Sequence, residues 1–317
     1  MFVRFILLVC VMLLTTGCPR SSYEQLHPVT KSPAPQRVQK SIPLPASARI
    51  YIQGNMNVTL HTGYSHPRMV LSGDARDLSH IVTKVNNGST CLTLRKIYPQ
   101  YLTINVDVYS HYLNAFEYHG TGTIIGKHLH SSLLDIVIDN QGRTVLGGSL
   151  GLRKLELAGN GTTEISGISS PSLAVKLSGK QKIKTSGFVN LTTLDLDNDT
   201  ALSLYWVKSR ALTIRGRGQS IIQLAGVAEH LDVELWGTAQ FRGRYLRADR
   251  SFVKTHDKSV AEISAVKRQH TLAKDASDIQ FFNIPVMKAD FMASNGAVLD
   301  MRDLGPPFIQ EYNQYNK

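Results

Sequence analysis

Leu155-Glu156-Leu157-Ala158-Gly159 belongs to a series. Phe116-Glu117-Tyr118-His119-Gly120 and Ile136-Val137-Ile138-Asp139-Asn140 come before it; Val175-Lys176-Leu177-Ser178-Gly179 and Leu194-Asp195-Leu196-Asp197-Asn198 come after. The closing residues continue as Gly216, Gly237, Asp257, Asp275 and Asn295, giving anchors at steps of 20, 19, 20, 19, 18, 21, 20, 18 and 20. Two residues before the first eight anchors stand Tyr118, Ile138, Leu157, Leu177, Leu196, Ile214, Leu235 and Thr255. Four residues before stand Phe116, Ile136, Leu155, Val175, Leu194, Leu212, Val233 and Val253.

Apolar–polar alternation is the strand period, because successive side chains point to opposite faces. The same apolar columns return at a constant step, so each coil of chain can bury them against the next, which is the logic of a solenoid. The anchors are Gly, Asn or Asp, the residues that most readily take positive φ, so each strand ends at a corner. A second corner is marked by Gly126, Gly147, Gly167 and Gly226, with Gly187 fitting less well because Thr185 takes the apolar place before it. The expectation is an all-β fold: a right-handed parallel β-helix of about ten rungs, a rod on the order of 45–50 Å at roughly 4.8 Å per rung. A β-sandwich or barrel also shows short alternating strands, but does not require one column at a constant period.

Outside the repeat, Arg4 and the apolar run 5–14 read as a signal peptide over 1–17. The run is too short to span a bilayer of ~30 Å as a helix. Thr15-Thr16-Gly17-Cys18 resembles a bacterial lipobox, although Leu14 lies one place too far from Cys18; an ordinary signal peptide is the alternative. The resemblance implies acylation, palmitate included, at Cys18 and anchoring without a transmembrane helix. With Pro19-Arg20 following, it implies the outer membrane. Residues 18–47, with five prolines from Pro28 to Pro45, read as an extended tether.

Residues 48–110 read as a strand and short-helix lead-in, with a helix over Asp77–Val85. Residues 111–303 are the solenoid, and 304–317 a tail in which Phe308–Lys317 either caps the last rung or frays. The lead-in motifs are Gly54-Asn55-Met56-Asn57-Val58-Thr59-Leu60-His61-Thr62-Gly63, Gly73-Asp74, Asn86-Asn87-Gly88 and Leu92-Thr93-Leu94, with Leu155-Glu156-Leu157-Ala158-Gly159-Asn160-Gly161 later. Over about Arg49–Gly243 they resemble the head-GIN-domain family of bacterial envelope proteins, the auto-transporter adhesin heads. The resemblance implies a β-helix-like fold and an envelope location, and no established activity.

Thirty-five basic against 24 acidic residues give +11, which favours anionic partners. In an envelope these are acidic polysaccharide, lipid A or an envelope protein; export removes the chain from nucleic acid. Lys180, Lys182, Lys184, Arg215, Arg217, Arg242 and Arg244 are the candidate anion-binding residues, and they can join into one stripe along the rod. So can Lys208, Arg210, Arg247 and Arg250. The alternative is a solvated face of rung-to-rung pairs such as Glu156–Lys176–Asp195 or Glu234–Lys254. Trp236, in a polar column, is a candidate for stacking on a sugar ring or for packing between rungs.

His128 with His130, or Glu117 with His119, lacks a third zinc ligand. Asp195, Asp197 and Asp199 lack the loop and distal Glu of a recognised calcium site. No cofactor is expected, since no G-x-S-x-G, Walker loop or H-E-x-x-H occurs. A polysaccharide lyase remains the enzymatic alternative, through Asp195, Asp197, Lys176 and Arg215 on adjacent rungs; a structural envelope component is the third reading. Cys10 leaves with the signal and Cys18 is the acylation site, so Cys91 has no disulfide partner and is expected as a buried strand residue.

Overall fold

A computed structural model of the protein describes residues 34–86, 88–95, 99–282 and 288–301. In chain order the elements begin with β1 (Arg37–Pro43), β2 (Ser47–Gln53), β3 (Asn57–His61) and β4 (Arg68–Asp74). A single helical turn α1 (Ala75–Leu78) follows, then β5 (Ile81–Asn86), β6 (Ser89–Leu94), β7 (Asn105–Tyr109) and β8 (Tyr112–Gly120). The long strands are β9 (Ile124–Asn140), β10 (Arg143–Ala158), β11 (Thr162–Leu177), β12 (Lys182–Leu196), β13 (Ala201–Gly216), β14 (Ile221–Leu235), β15 (Gln240–Thr255) and β16 (Val260–Lys274). The short strands β17 (Asp278–Phe281), β18 (Lys288–Ser294) and β19 (Ala297–Asp300) close the series.

From β8 to β16 each strand pairs in parallel with the next, forming a β-solenoid of about nine turns, consistent with the expected count of about ten rungs. Each long strand is bent twice. In β10 the register shifts beside Gly148 and again around Leu152, dividing the rung into a first, a middle and a last arm. On the last arm one file runs Phe116–Ile136–Leu155–Val175–Leu194–Ile214–Val233–Val253. These side chains are buried in one apolar cluster that also holds Ile138, Leu157, Leu177 and Leu196. Burying each Leu or Ile contributes about 1.5–3 kcal/mol, and no rung can do it alone.

Most anchors behave as their residue types predict. Gly159, Gly179, Asn198, Gly237, Asp257, Asp275 and Asn295 all have φ between +59° and +94°. Gly216 is a correction. The residue with positive φ in that rung is Gly218, at +69°. The register sets Ile214 against Leu194 and Gly216 against Leu196. Ile214 therefore belongs to the Leu194 file, and Gly216 occupies an inward place that holds Leu in the neighbouring rungs. A Cβ on Gly216 would come 2.9 Å from Leu235 Cδ2, so the neighbour's side chain already fills that space. With Gly218 as anchor the irregular steps of 18 and 21 become 20 and 19.

The lead-in departs further from expectation. Arg37–Pro43, read as part of the tether, is β1, an edge strand antiparallel to β4. An edge tolerates Pro43, which has no N–H to give. The helix expected over Asp77–Val85 is confined to α1, and Ile81, Val82 and Val85 lie in β5, antiparallel to β6. Their β-branched side chains suit the strand better than a helix. Asp74 caps α1 through Arg76 N, and the buried Asp77 carboxylate accepts from the N–H groups of Gln100, Tyr101 and Leu102 at 2.8–3.0 Å. Gly54-Asn55 turns a rung corner and not a hairpin: β2 and β3 lie parallel to β8 and β9 on one side, and to β6 and β7 on the other. Cys91 is also corrected. It is half-buried and outward-pointing, because Leu92 and Leu94 take the inward places of β6.

At the far end β18 and β19 lie on β16 and β17. Phe291 continues the inward file beyond Thr271 and stacks on Phe281 at 4.9 Å, yet remains 48% exposed. The signal peptide, Cys18 and the Phe308–Lys317 tail lie outside the described residues.

Candidate functional site

The first arms of the rungs carry two outward columns. One runs Arg143–Thr162–Lys182–Ala201–Ile221–Gln240–Val260, the other Val145–Glu164–Lys184 and onward. Between β12 and β13 the ladder lapses: paired register stops at Lys182 with Ala201 and resumes only at Val189 with Val207. Ile183 and Thr185 point inward there but stay half-buried, where Leu202 and Leu204 of the next rung are fully covered. The result is a cleft of about 620 Å³ with Ile183 in its lining and Arg143, Glu164, Lys180, Lys182, Lys184 and Asp199 around it. Thr185 Oγ1 crosses the lapse to Ser203 O at 3.4 Å. The buried Gln181 amide anchors the preceding turn by donating to the carbonyls of Asn140 and Ala158.

Lys180 pairs with Asp199 at 3.2 Å, and Arg143 approaches Glu164 at 3.9 Å. Among the described residues Lys182 and Lys184 form no ion pair. A second opening of about 310 Å³ lies on the same arm, lined by Gln223, Gln240, Arg242, Arg244, Tyr245 and Glu262. It too sits at a lapse, since β15 and β16 lose register between Arg242 and Arg247.

The last arm is different. Its outward column reads Glu156–Lys176–Asp195–Arg215–Glu234–Lys254, alternating in sign at every rung. Glu156 meets Lys154 at 2.7 Å and Lys176 at 3.4 Å, and the hydrogen bond from Lys154 leads in holding its carboxyl below the usual range. Asp232 goes the other way: burial, then the nearby Glu234, pushes its carboxyl up. Arg217 reaches Asp197 at 3.3 Å and covers the Trp236 ring at 5.0 Å. The other side of Trp236 stacks on His256 at 5.6 Å and 6°. Trp236 is thus a rung-to-rung spacer with a ring on one side and a guanidinium on the other.

The seven cations and Trp236 therefore do not form one stripe. Lys180, Lys182 and Lys184 share the larger cleft, Arg242 and Arg244 the smaller one, and Arg215, Arg217 and Trp236 lie on the last arm. The rung bends twice between these groups, which a linear count of basic residues does not register. Arg250 stands on the corner before the last arm, in file with Arg268 and Lys288. Acids lie beside that file, with Asp290 3.9 Å from Arg268 and Asp249 bound to Lys267 at 2.6 Å.

Of the metal candidates, His119 pairs with Glu117 at 2.9 Å, while Asp197 and Asp199 each face a cation. Among the described residues no three His, Cys, Asp or Glu side chains gather to hold a metal ion, and no helix is long and apolar enough to cross a membrane.

Sequence reasoning placed Tyr205 and Trp206 within the repeats without giving them a role, and passed over Phe188. Phe188, Tyr205 and Trp206, at the corner after the first arm, are 71%, 47% and 57% exposed. The signal was present: second-corner glycines recur through Gly226, with none between Gly187 and Gly216.

Residues 48–197 match the family described as "Putative auto-transporter adhesin, head GIN domain". The chain is also similar to solved structures. One is a putative adhesin from Parabacteroides merdae, 15% identical, covering 84% of this chain and 97% of that one, with a TM-score of 0.44. Another is a putative lipid binding protein from Parabacteroides distasonis, 13% identical with the same coverage and a TM-score of 0.39. A third, a putative adhesin from Bacteroides fragilis, is 13% identical with the same coverage and a TM-score of 0.35. A search of curated proteins gives no match.

Proposed function

Taking the head GIN match over residues 48–197 as premise, we propose that this is a non-enzymatic lipoprotein of the cell envelope. In this reading it is anchored to the outer membrane through acylated Cys18, and its solenoid presents the first-arm face to an anionic ligand. Acidic polysaccharide, lipid A and an acidic envelope protein share the chemistry that would be recognised. The observation carrying the reading is the pair Lys182 and Lys184, which form no ion pair among the described residues while standing over an open cleft where Arg143, Lys180, Lys182 and Lys184 outnumber Glu164 and Asp199. On the last arm Lys176 pairs with Glu156 and Arg217 with Asp197, while Arg215 lies between Asp195 and Glu234 in register, so that face offers little net field. A lyase or hydrolase would need paired carboxylates, or Ca²⁺ with an Arg or Lys base, gathered on one groove. At the cleft, Glu164 and Asp199 are each turned toward a cation.

The test puts the full chain, in detergent, on an array of acidic and neutral glycans beside immobilised lipid A, with a reducing-end release assay in parallel. The reading predicts salt-sensitive binding to anionic ligands and no release of new reducing ends. Turnover of a bound polysaccharide would overturn it. Metabolic labelling with palmitate, present in the natural chain and absent from Cys18→Ala, tests the anchor.

A further inference from the structure

We infer that Trp206 is a stacking platform for a sugar ring at the mouth of the first-arm cleft, and that the ligand there is an acidic polysaccharide. The inference rests on the anionic-ligand reading of that face and narrows it to one class.

The backbone gives the first observation. In neighbouring rungs the corner after the first arm is turned by Gly148, Gly167, Gly187 and Gly226, with φ from +73° to +145°. In β13 the same corner is turned by Trp206, at φ +68°. A bulky side chain in the left-handed region is a genuine outlier, and such conformations gather at functional sites. Glycine would occupy the place without strain.

The register gives the second. Leu204 faces Leu224 and Val207 faces Gly226, so β13 carries one residue more than β14 at this corner. A bulge of this kind bends the strand and re-aims a side chain. Here it sends the indole outward, 57% exposed, with the Phe188 ring 6.3 Å away and Tyr205 beside it. Three exposed rings gather at this one corner.

Position gives the third. The bulge directly follows the lapse that opens the cleft. Lys182 and Lys184 lie on the preceding arm of β12, six and four residues ahead of Phe188. The cleft lining in β13 reaches Ser203, three residues before Trp206, so a flat apolar face and two ammonium groups without an ion pair among the described residues match a polysaccharide that offers ring C–H groups to the one and a carboxylate or sulfate to the other. A phospholipid headgroup offers the charge without a sugar ring, whereas lipid A sets its phosphorylated glucosamine rings in a membrane plane, and the vesicle arm of the test separates that source from a free polysaccharide.

The test uses the full chain in detergent, titrated with polygalacturonate, dextran sulfate, neutral dextran and lipid A vesicles. Binding is read by sedimentation and by tryptophan emission. The expected result is that polygalacturonate binds and shifts the emission. Trp206→Gly should then lose at least about tenfold in affinity for it while melting at the same or a higher temperature, because the strain is gone. Lys182→Gln/Lys184→Gln should weaken every anionic ligand. If Trp206→Gly binds polygalacturonate as the natural chain does, the platform is wrong and the cationic face stands. If neutral dextran binds equally well, the acidic class is wrong. If only lipid A vesicles bind, unaffected by Trp206→Gly, the ligand is a lipid surface and the inference fails. If no anionic ligand binds at all, the reading of the face itself fails.

Discussion

The first and last arms of the rungs are built on the same core and treat charge in opposite ways. On the last arm acid and base alternate in rung-to-rung register from Glu156 to Lys254, with Glu156 and Lys176 in an ion pair. On the first arm the ladder opens between β12 and β13, and Lys182 and Lys184 stand over the opening without an ion pair among the described residues, with Glu164 facing Lys184 in register but turned toward Arg143. A solenoid is held by its inward files, so its outward columns are free to differ. One face is a solvated surface at rest; the other has an unbalanced field and a broken ladder, both of which weaken the fold locally and suit a ligand.

The contrast predicts where stability resides. Leu196→Ala, under the closed ladder and 1% exposed, should cost about 2–5 kcal/mol in denaturant unfolding. Ile183→Ala, in the lining of the open cleft, should cost less than half as much. Equal losses would mean that the cleft is packed as tightly as the ladder. At the corners, Gly179→Ala is next in size. Its φ is +86° and a Cβ would lie 2.3 Å from Gly159 O, so a loss of more than ~1 kcal/mol is expected. Smaller still is Glu156→Gln on the last arm, about 0.5–1 kcal/mol, against no loss for Lys182→Gln on the first.

The smallest effect is in pH, and its sign separates two carboxyls of one face. The folded state lowers the pKa of Glu156, so its contribution is present above the unfolded value near 4.5 and is lost as pH falls through the lower folded value. Asp232 is raised, so its ionisation weakens the fold as pH climbs from the unfolded value near 3.8 through the folded one. Asp232→Asn should therefore raise the urea midpoint at pH 6 and leave it unchanged at pH 3. Glu156→Gln should lower the midpoint at pH 6 only.

The solenoid was legible because one period controls both the inward files and the corners. Ile138, Leu157, Leu177 and Leu196 could be read off directly. Where two residues of the same kind compete, the count slips: Arg215-Gly216-Arg217-Gly218 offers two glycines, and only the backbone shows that Gly218 turns the corner. The lead-in was poorly legible because it does not repeat. Ile81, Val82 and Val85 fit a helical stripe as well as a strand, and pairing with β6 decides between them. The site was half legible. The lysines at 180, 182 and 184 could be found by charge and alternation. Their separation from Arg215 and Arg217 could not, because it depends on two bends in each rung. Trp206 could have been found as a missing corner glycine.

The account turns on the first arm, and not the last, being the binding face. The most direct measurement compares polygalacturonate affinity across salt concentrations for the natural chain, Lys182→Gln/Lys184→Gln and Arg215→Gln/Arg217→Gln. The first variant should bind at least about tenfold more weakly with a shallower salt dependence, and the second should bind as the natural chain does. Equal losses in both, or a loss only in the arginine variant, would contradict the account.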